Sequence, residues 1–81
     1  MKIRLLLFAV LRDIVGADER DIELPDGATA ADLWQRLRSE HDALARYEAP
    51  PMTAINQEYA PATSPLHAGD EVAFIPPVSG G

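Results

Sequence analysis

The sequence predicts an α+β domain in which one main helix packs on one face of a mixed sheet. The chain has 81 residues, which is the size of one small domain. Its segments follow the order strand, strand, helix, strand, strand. The first and last strands, residues 2–9 and 71–75, are both strongly apolar. We therefore expect these two strands to lie side by side at the centre of the sheet.

The N-terminal part is predicted to contain two strands that a single helical turn separates. Residues 2–9 alternate with period 2, and residues 11–15 suit one helical turn that Gly16 ends as a left-handed cap. Residues 19–24 form the second strand, and residues 25–27 form a turn. The side chains expected to face the core are Ile3, Leu5, Leu7, Ala9, Ile22 and Leu24.

The main helix is predicted to begin after Thr29 and to run to about Glu40. Thr29 is a good N-cap, and Asp32 at the third helical position completes a weak capping box. A looser segment follows to Tyr47, and residues 50–51, both proline, end it. The apolar side chains grouped on the buried side of this region are Leu33, Trp34, Leu37 and Leu44.

The C-terminal part is predicted to contain two strands and a long loop. Residues 52–56 form a strand, and residues 56–58 form its turn. Residues 60–68 carry two prolines and no clear period, so they are a loop, and residues 67–70 are a turn. The last strand covers residues 71–75, after which proline prevents a sheet ladder from continuing. The chain thus divides into a domain over residues 1–75 and a flexible tail over residues 76–81.

Composition excludes several functional classes. Thirteen acidic and seven basic residues give a formal net charge of −6, which disfavours nucleic acid. This charge is equally consistent with basic protein partners and with plain solubility. Cysteine is absent, so the chain encodes no thiol nucleophile or thiolate metal ligand. His41 and His67 have no partner at ligand or triad spacing, and we expect no metal site. The chain has no apolar stretch of membrane-spanning length, and we expect a cytoplasmic protein.

The C-terminal tail is the feature that points to function. Pro76 and Pro77 favour an extended segment that costs little entropy to dock. The small residues Val78 and Ser79 follow, and the final residues Gly80 and Gly81 have no side chains, so they can pass through a slot one backbone wide. From the end of the last strand these six residues span about 20 Å. Such a tail suits delivery of a terminal carboxylate into another protein, although a frayed terminus is the alternative.

Three segments resemble the molybdopterin synthase small subunit (MoaD) family of sulfur carriers. Residues 70–81 are similar to the hallmark C-terminus of that family, and this motif is highly specific. Residues 7–16 resemble its first strand and following turn, and residues 54–57 resemble its middle strand. The resemblance spans the whole chain and implies a ubiquitin-like β-grasp fold.

The resemblance also implies a reaction cycle in which the working group is the carboxylate of Gly81. An E1-like adenylyltransferase would use ATP to form an acyl-adenylate, and a sulfur donor enzyme would convert it into a thiocarboxylate. The tail would then deliver sulfur to cyclic pyranopterin monophosphate in the synthase large subunit, in a heterotetramer of two small and two large subunits. This chain would bind no cofactor and would not be catalytic by itself.

Strand alternation predicts a partner-binding surface beside the tail. Leu6 and Phe8 should project to the sheet face opposite the helix, with Ile75 beside them and Tyr59 at the border. Arg12 follows the first strand near the expected exit of the tail, where its guanidinium suits a partner carboxylate or a tail carbonyl. A face covered by the chain's own loops, and an ordinary surface arginine, are the respective alternatives.

Three other functions remain open at this point. A thiamine-pathway sulfur carrier shares the fold and the two terminal glycines, although residues 74–79 argue against it. A ubiquitin-like protein modifier would need the same activation but a lysine acceptor on another protein. An adaptor domain that used only its sheet face would have a dispensable tail.

Overall fold

A computed structural model describes residues 1–47 and 51–76 of the chain. Five strands, two helices and one short 3₁₀ helix make up this part. In chain order they are β1 (Lys2–Leu7), α1 (Ala9–Val15), β2 (Glu19–Glu23), α2 (Ala30–Glu40), the 3₁₀ helix (Asp42–Leu44), β3 (Met52–Ile55), β4 (Glu58–Tyr59) and β5 (Glu71–Ile75).

The strands form one mixed sheet in the order β2-β1-β5-β3-β4. β1 and β5 are parallel neighbours at the centre, and the other pairings are antiparallel. The predicted central placement of the two apolar terminal strands is therefore confirmed. The sequence predicted four strands, but the described residues form five. The additional strand, β4, pairs with β3 over only two residues, which are too few to show a strand pattern in the sequence.

β1 ends two residues earlier than its alternation suggested. Ala9 was expected to face the core within the strand, but it is exposed and begins α1. Its φ of 50° lies in the left-handed region, and this turns the chain out of the sheet. Gly16, with φ of 85°, ends α1 as the predicted left-handed cap, and its backbone N–H donates to the carbonyl of Arg12 over 2.8 Å.

The core lies between the sheet and α2. Ile3, Leu5, Leu7, Ile22 and Leu24 are buried on the side of the sheet that α2 covers. The helix contributes Ala30 and the three side chains predicted from its sequence, and the 3₁₀ helix adds one more. The predicted side chains that are buried here are Leu33, Trp34, Leu37 and Leu44. The side chains that strand alternation and the helical period direct inward thus pack together in one apolar cluster.

Trp34 joins the helix to the last strand. Its ring contacts that of Phe74 edge to face, with ring centroids 5.2 Å apart, and both side chains are fully buried. α2 begins with the predicted capping box: the Asp32 backbone N–H donates to the Thr29 hydroxyl, and the Thr29 backbone N–H donates to the Asp32 carboxylate. The predicted end of the helix at Glu40 is also confirmed.

The C-terminal part contains two tight turns and a loop. β3 ends at Ile55, and Asn56 and Gln57 turn the chain with φ values of 53° and 71°. The loop over residues 60–68 covers the core with Leu66, which is 2% exposed. The backbone N–H of Asp70 closes the predicted second turn by donating to the carbonyl of His67 over 3.0 Å.

β5 ends at Ile75 as predicted, and the tail begins with Pro76. Residues 77–81 lie outside the described residues, as do residues 48–50, which include the predicted stop at Pro50. The division into a domain over residues 1–75 and a flexible tail over residues 76–81 therefore stays a prediction. Within the described ranges, neither helix is long and apolar enough to cross a membrane.

Candidate functional site

The sheet face that points away from α2 carries a row of apolar side chains. Residues directly opposite one another in neighbouring strands point to the same face. Leu6 lies opposite Ala73, Ala73 opposite Ala54, and Ala54 opposite Tyr59. The row therefore crosses four strands from β1 to the sheet edge, on the face opposite α2.

A second apolar row lies one step closer to the tail. Met52 pairs with Ile75 across β3 and β5. Phe8 follows β1 in extended conformation, and alternation directs its side chain to the same side as that of Leu6. We define the outer apolar patch by both rows: Leu6, Phe8, Met52, Ala54, Tyr59, Ala73 and Ile75.

The outer apolar patch is separate from the core. Ala54 and Ala73 are 8% and 9% exposed, yet they do not belong to the apolar cluster under α2, so their larger neighbours on the outer face cover them. Those neighbours remain open to solvent: Phe8 is 46% exposed, Met52 57% and Tyr59 74%. Exposed aromatic and methionine side chains around a small-residue centre are typical of a protein-binding surface.

A depression extends the patch at the edge of the sheet. Its volume is about 630 Å³, and Pro51, Met52, Tyr59 and Pro61 contribute to its lining. β4 provides the edge at this point and is only two residues long. The depression therefore lies along β3 and β4, and Met52 connects it to Ile75 at the end of β5.

The other half of the outer face is charged. Arg4 in β1 and Glu19 in β2 approach to 2.8 Å, and Lys2 and Asp21 approach to 3.9 Å. Glu23 is the third outward carboxylate of β2, which forms an edge of the sheet. The acidic residues of this strand thus line a solvated edge, and a partner that covered the patch would border them.

Arg12 lies beside the patch in a small groove. The groove has a volume of about 230 Å³, and its lining includes Leu6, Phe8, Arg12 and Glu19. The side chain of Arg12 is 54% exposed, and its Nε lies 3.7 Å from a carboxylate oxygen of Asp13. This weak, solvated contact leaves most of the guanidinium donors of Arg12 open to a partner.

Most of the predicted surface residues lie together. Leu6, Phe8, Tyr59 and Ile75 belong to the same patch, and Arg12 borders it. The sequence reasoning missed Met52, Ala54 and Ala73. Their positions on the outer face follow from the pairing of β3 with β5, whose register the sequence pattern does not specify. Whether these residues bind a partner stays a prediction.

The predicted tail contributes only Pro76 to the described structure. Pro76 is half-buried directly after β5, and it follows the Ile75–Met52 pair of the patch. Pro77, Val78, Ser79, Gly80 and Gly81 lie outside the described residues. The structure nevertheless shows where the tail leaves the domain: at the end of the central strand, next to the outer apolar patch.

A polar network joins the two turns at the opposite end of β5. Asn56 donates from Nδ2 to the carboxylate of Asp70 over 3.0 Å, and its Oδ1 accepts from the backbone N–H of Glu71. The backbone N–H of His67 donates to the other Asp70 oxygen over 2.8 Å, and its Nδ1 lies 3.7 Å away. The hydrogen bond from Asn56, then that from the His67 backbone, lowers the pKa of Asp70 below its ordinary value.

This network links the two turns and stabilises them. His67 is exposed and interacts with an aspartate three residues away within one turn, a pair that the sequence reasoning had not identified. His41 is half-buried at the end of α2. Across residues 1–47 and 51–76, no group of three or more histidine, cysteine, aspartate or glutamate side chains is arranged to hold a metal ion.

The chain matches one protein family and several curated relatives over nearly its whole length. The model of the ThiS family matches residues 5–81. The chain is 42% identical to the molybdopterin synthase sulfur carrier subunit of Chlamydomonas reinhardtii over 83 aligned positions that cover all of both chains. It is 40% identical to the protein of the same name from Escherichia coli, over 98% of this chain and 99% of that protein.

A solved structure shares the same architecture. The small archaeal modifier protein 1 of Haloferax volcanii superposes with a TM-score of 0.81 at 28% identity, over 95% of this chain and 98% of that one. The mixed sheet with its helix on one face is therefore a β-grasp fold, as predicted.

Proposed function

The chain belongs to the ThiS family, and from its full-length likeness to molybdopterin synthase sulfur carrier subunits we propose that it carries sulfur for molybdenum cofactor biosynthesis. The observation that carries the proposal is the position of the outer apolar patch. This surface lies at the point where β5 ends and the tail begins. A carrier needs a docking surface next to the group that it delivers, since docking then places that group in the partner's active site.

The proposed cycle begins at the carboxylate of Gly81. A carboxylate is a poor electrophile, so an E1-like enzyme uses ATP to convert it into an acyl-adenylate, with AMP as a good leaving group. Sulfur from a donor enzyme then replaces AMP, and the product is a thiocarboxylate. In the large subunit, the sulfur of this thiocarboxylate acts as the nucleophile and is transferred to cyclic pyranopterin monophosphate. The cycle would take place in the cytoplasm.

The domain itself positions the tail and holds the partner. The outer apolar patch would dock on the synthase large subunit, in an assembly of two small and two large subunits. Pro76 and Pro77 would keep the start of the tail extended, and Val78 and Ser79 would follow it into the channel. Gly80 and Gly81 would pass the narrowest part, because they have no side chains.

Two other carriers of the same fold are alternatives. The small archaeal modifier protein favours a second candidate, a protein modifier that forms isopeptide bonds through the same activated glycine. A thiamine-pathway carrier is disfavoured by residues 74–79 and by the names of the full-length relatives. Conjugate analysis distinguishes the modifier from the sulfur carrier, since only the modifier becomes attached to lysines of proteins other than copies of this chain.

The intact mass of the chain tests the proposal. After incubation with an E1-like enzyme, ATP and a sulfur source, the mass should rise by the difference between one sulfur and one oxygen. Omission of ATP is the control, and it should leave the mass unchanged. An unchanged mass in the complete reaction, with an enzyme that thiocarboxylates a related carrier in parallel, would contradict the proposal.

A further inference from the structure

The chain contains very few amines that an activated carboxyl group could acylate. Lys2 is its one lysine, and the other six basic residues are arginines. A guanidinium remains protonated and is not a nucleophile at ordinary pH. Cysteine is also absent. The groups of the 81 residues that can form a stable amide with an acyl-adenylate are therefore the Lys2 side chain and the α-amine of Met1.

The structure makes these two amines very different. The ammonium nitrogen of Met1 donates to the carbonyl of Leu24 over 2.7 Å, and carboxylates of Glu23 and Asp26 lie 3.6 Å away. The Met1 side chain is only 4% exposed. Acylation of this amine would require the start of β1 to separate from the end of β2. The ladder between those strands opposes this separation.

Lys2 is open to solvent on the outer face of β1. Its side chain is 65% exposed, and its one ionic contact among the described residues is with Asp21 at 3.9 Å. A surface ion pair of this length contributes little free energy and exchanges readily with solvent. The Nζ atom of Lys2 is thus accessible to an electrophile without unfolding.

The chain's own tail is too short to reach this amine. The backbone N–H of Gly69 donates to the carbonyl of Lys2, so Lys2 lies beside the residues that precede β5. The tail leaves seven residues later, which corresponds to about 23 Å along the strand. The five residues after Pro76 extend at most about 18 Å, and a reversal of direction takes about two of them, so that even with about 6 Å added by the Lys2 side chain the total stays near 17 Å. Acylation of Lys2 must therefore come from a second copy.

We propose that Lys2 is the one site at which this carrier accepts the activated carboxyl group of another copy, which links the two copies by an isopeptide bond. The proposal rests on the activation of Gly81 in the proposed function. The unprotonated Nζ of Lys2 attacks the acyl carbon, and a C–N bond forms as the C–O bond to AMP breaks. AMP leaves with the electron pair, and the amine proton passes to solvent. When the sulfur donor is absent, this reaction consumes the acyl-adenylate that would otherwise receive sulfur.

The test uses the full chain prepared with Gly81 as an alkyl thioester, which activates the carboxyl group without an enzyme. The chain is incubated at pH about 9, where more of a typical lysine is unprotonated than at neutral pH. A small primary amine, in a parallel sample, confirms that the thioester is reactive. Intact mass and peptide mapping then locate the new amide. We expect a linked dimer with at least about tenfold more amide at Lys2 than at Met1, because the Met1 amine can react only after the start of β1 separates from the end of β2.

Two variants form a matched pair. Lys2→Arg keeps the charge, removes the amine and should lower the linked product by at least about tenfold. The double variant Lys2→Arg with Arg4→Lys places an amine two residues away on the same face, where Arg4 is 56% exposed, and should restore the product at residue 4. Equal melting temperatures would show that both variants are folded.

Three results would overturn the proposal. They are an amide mainly at Met1, an undiminished dimer in Lys2→Arg, and no dimer from a thioester that acylates the small amine. A separate reaction with the E1-like enzyme measures exchange of pyrophosphate into ATP. Absence of that exchange would contradict the proposed function and leave the thioester result, and hence the Lys2 site, unaffected.

Discussion

Substitution of Phe8 by aspartate is the perturbation that bears most directly on the outer apolar patch. Phe8 is 46% exposed, and a phenylalanine buries about 200 Å² when it is fully covered. A partner would therefore remove about 90 Å² of its apolar surface from water, which contributes about 2 kcal/mol. Loss of this contact alone should raise the Kd for the synthase large subunit about 30-fold. The aspartate adds a further cost, because its charge must be desolvated.

Titration calorimetry with the large subunit of the same organism measures this change. Ile75→Asp, on the adjacent strand, should weaken binding to a similar extent. Gln35→Asp is the control, since it places the same charge on the exposed side of α2, away from the patch. Melting temperatures show that each variant is folded. Unchanged affinity in both patch variants would refute the assignment of this face to the large subunit.

The remaining predictions concern a side chain, the net charge and pH. Arg12→Ala should reduce adenylation or large-subunit binding by several-fold if its open guanidinium pairs with a partner carboxylate; full activity in both assays would show an ordinary surface arginine. Association with a basic partner surface should slow as salt rises, because the screening length falls to about 10 Å near 0.1 M; stopped-flow rates that do not change with salt would exclude electrostatic steering. The pKa of Asp70 is lowered in the folded state, so its contribution to stability is present above its unfolded value of 3.8 and is lost as pH falls through the folded value. Melting temperature should therefore fall more steeply below pH about 4 in the natural chain than in Asp70→Asn; equal slopes would contradict this assignment.

Regular patterns in the sequence predicted the parts of the fold that depend on local chemistry. The capping box at Thr29, the left-handed cap at Gly16 and the bounds of β5 follow from the residues themselves. β4 was missed, because two residues are too few to show a period. Ala9 was misassigned, because nothing in an apolar alternation indicates that one alanine adopts a positive φ.

Those residues of the outer apolar patch that follow from alternation within one strand could be predicted from the sequence. Alternation within β1 and β5 directed Leu6 and Ile75 to the outer face, and the structure agrees. Met52 and Ala73 join them through the pairing of β3 with β5, which lie far apart in sequence. Such register depends on the loop over residues 60–68 and on how the core packs, neither of which has a local sequence signal.

The central claim is that the carboxylate of Gly81 is the group that receives sulfur. An extension by one alanine would move the reactive carbon about 3.5 Å along the partner's channel. Displacements of about 1 Å already lower positioned reactions about a hundredfold. Deletion of Gly81 shortens the reach by the same distance, and Gly80→Val adds a branched side chain to the narrow segment. These changes fall at least five residues after the end of β5, so melting temperatures should barely change.

The most direct measurement is therefore the rate of thiocarboxylate formation, followed by intact mass, in the natural chain and in the alanine-extended chain. We expect the natural chain to acquire sulfur and the extended chain to acquire almost none under the same conditions. The mass spectrum itself shows whether the added alanine is still present. Sulfur acquisition at the normal rate by an intact extended chain would contradict the account.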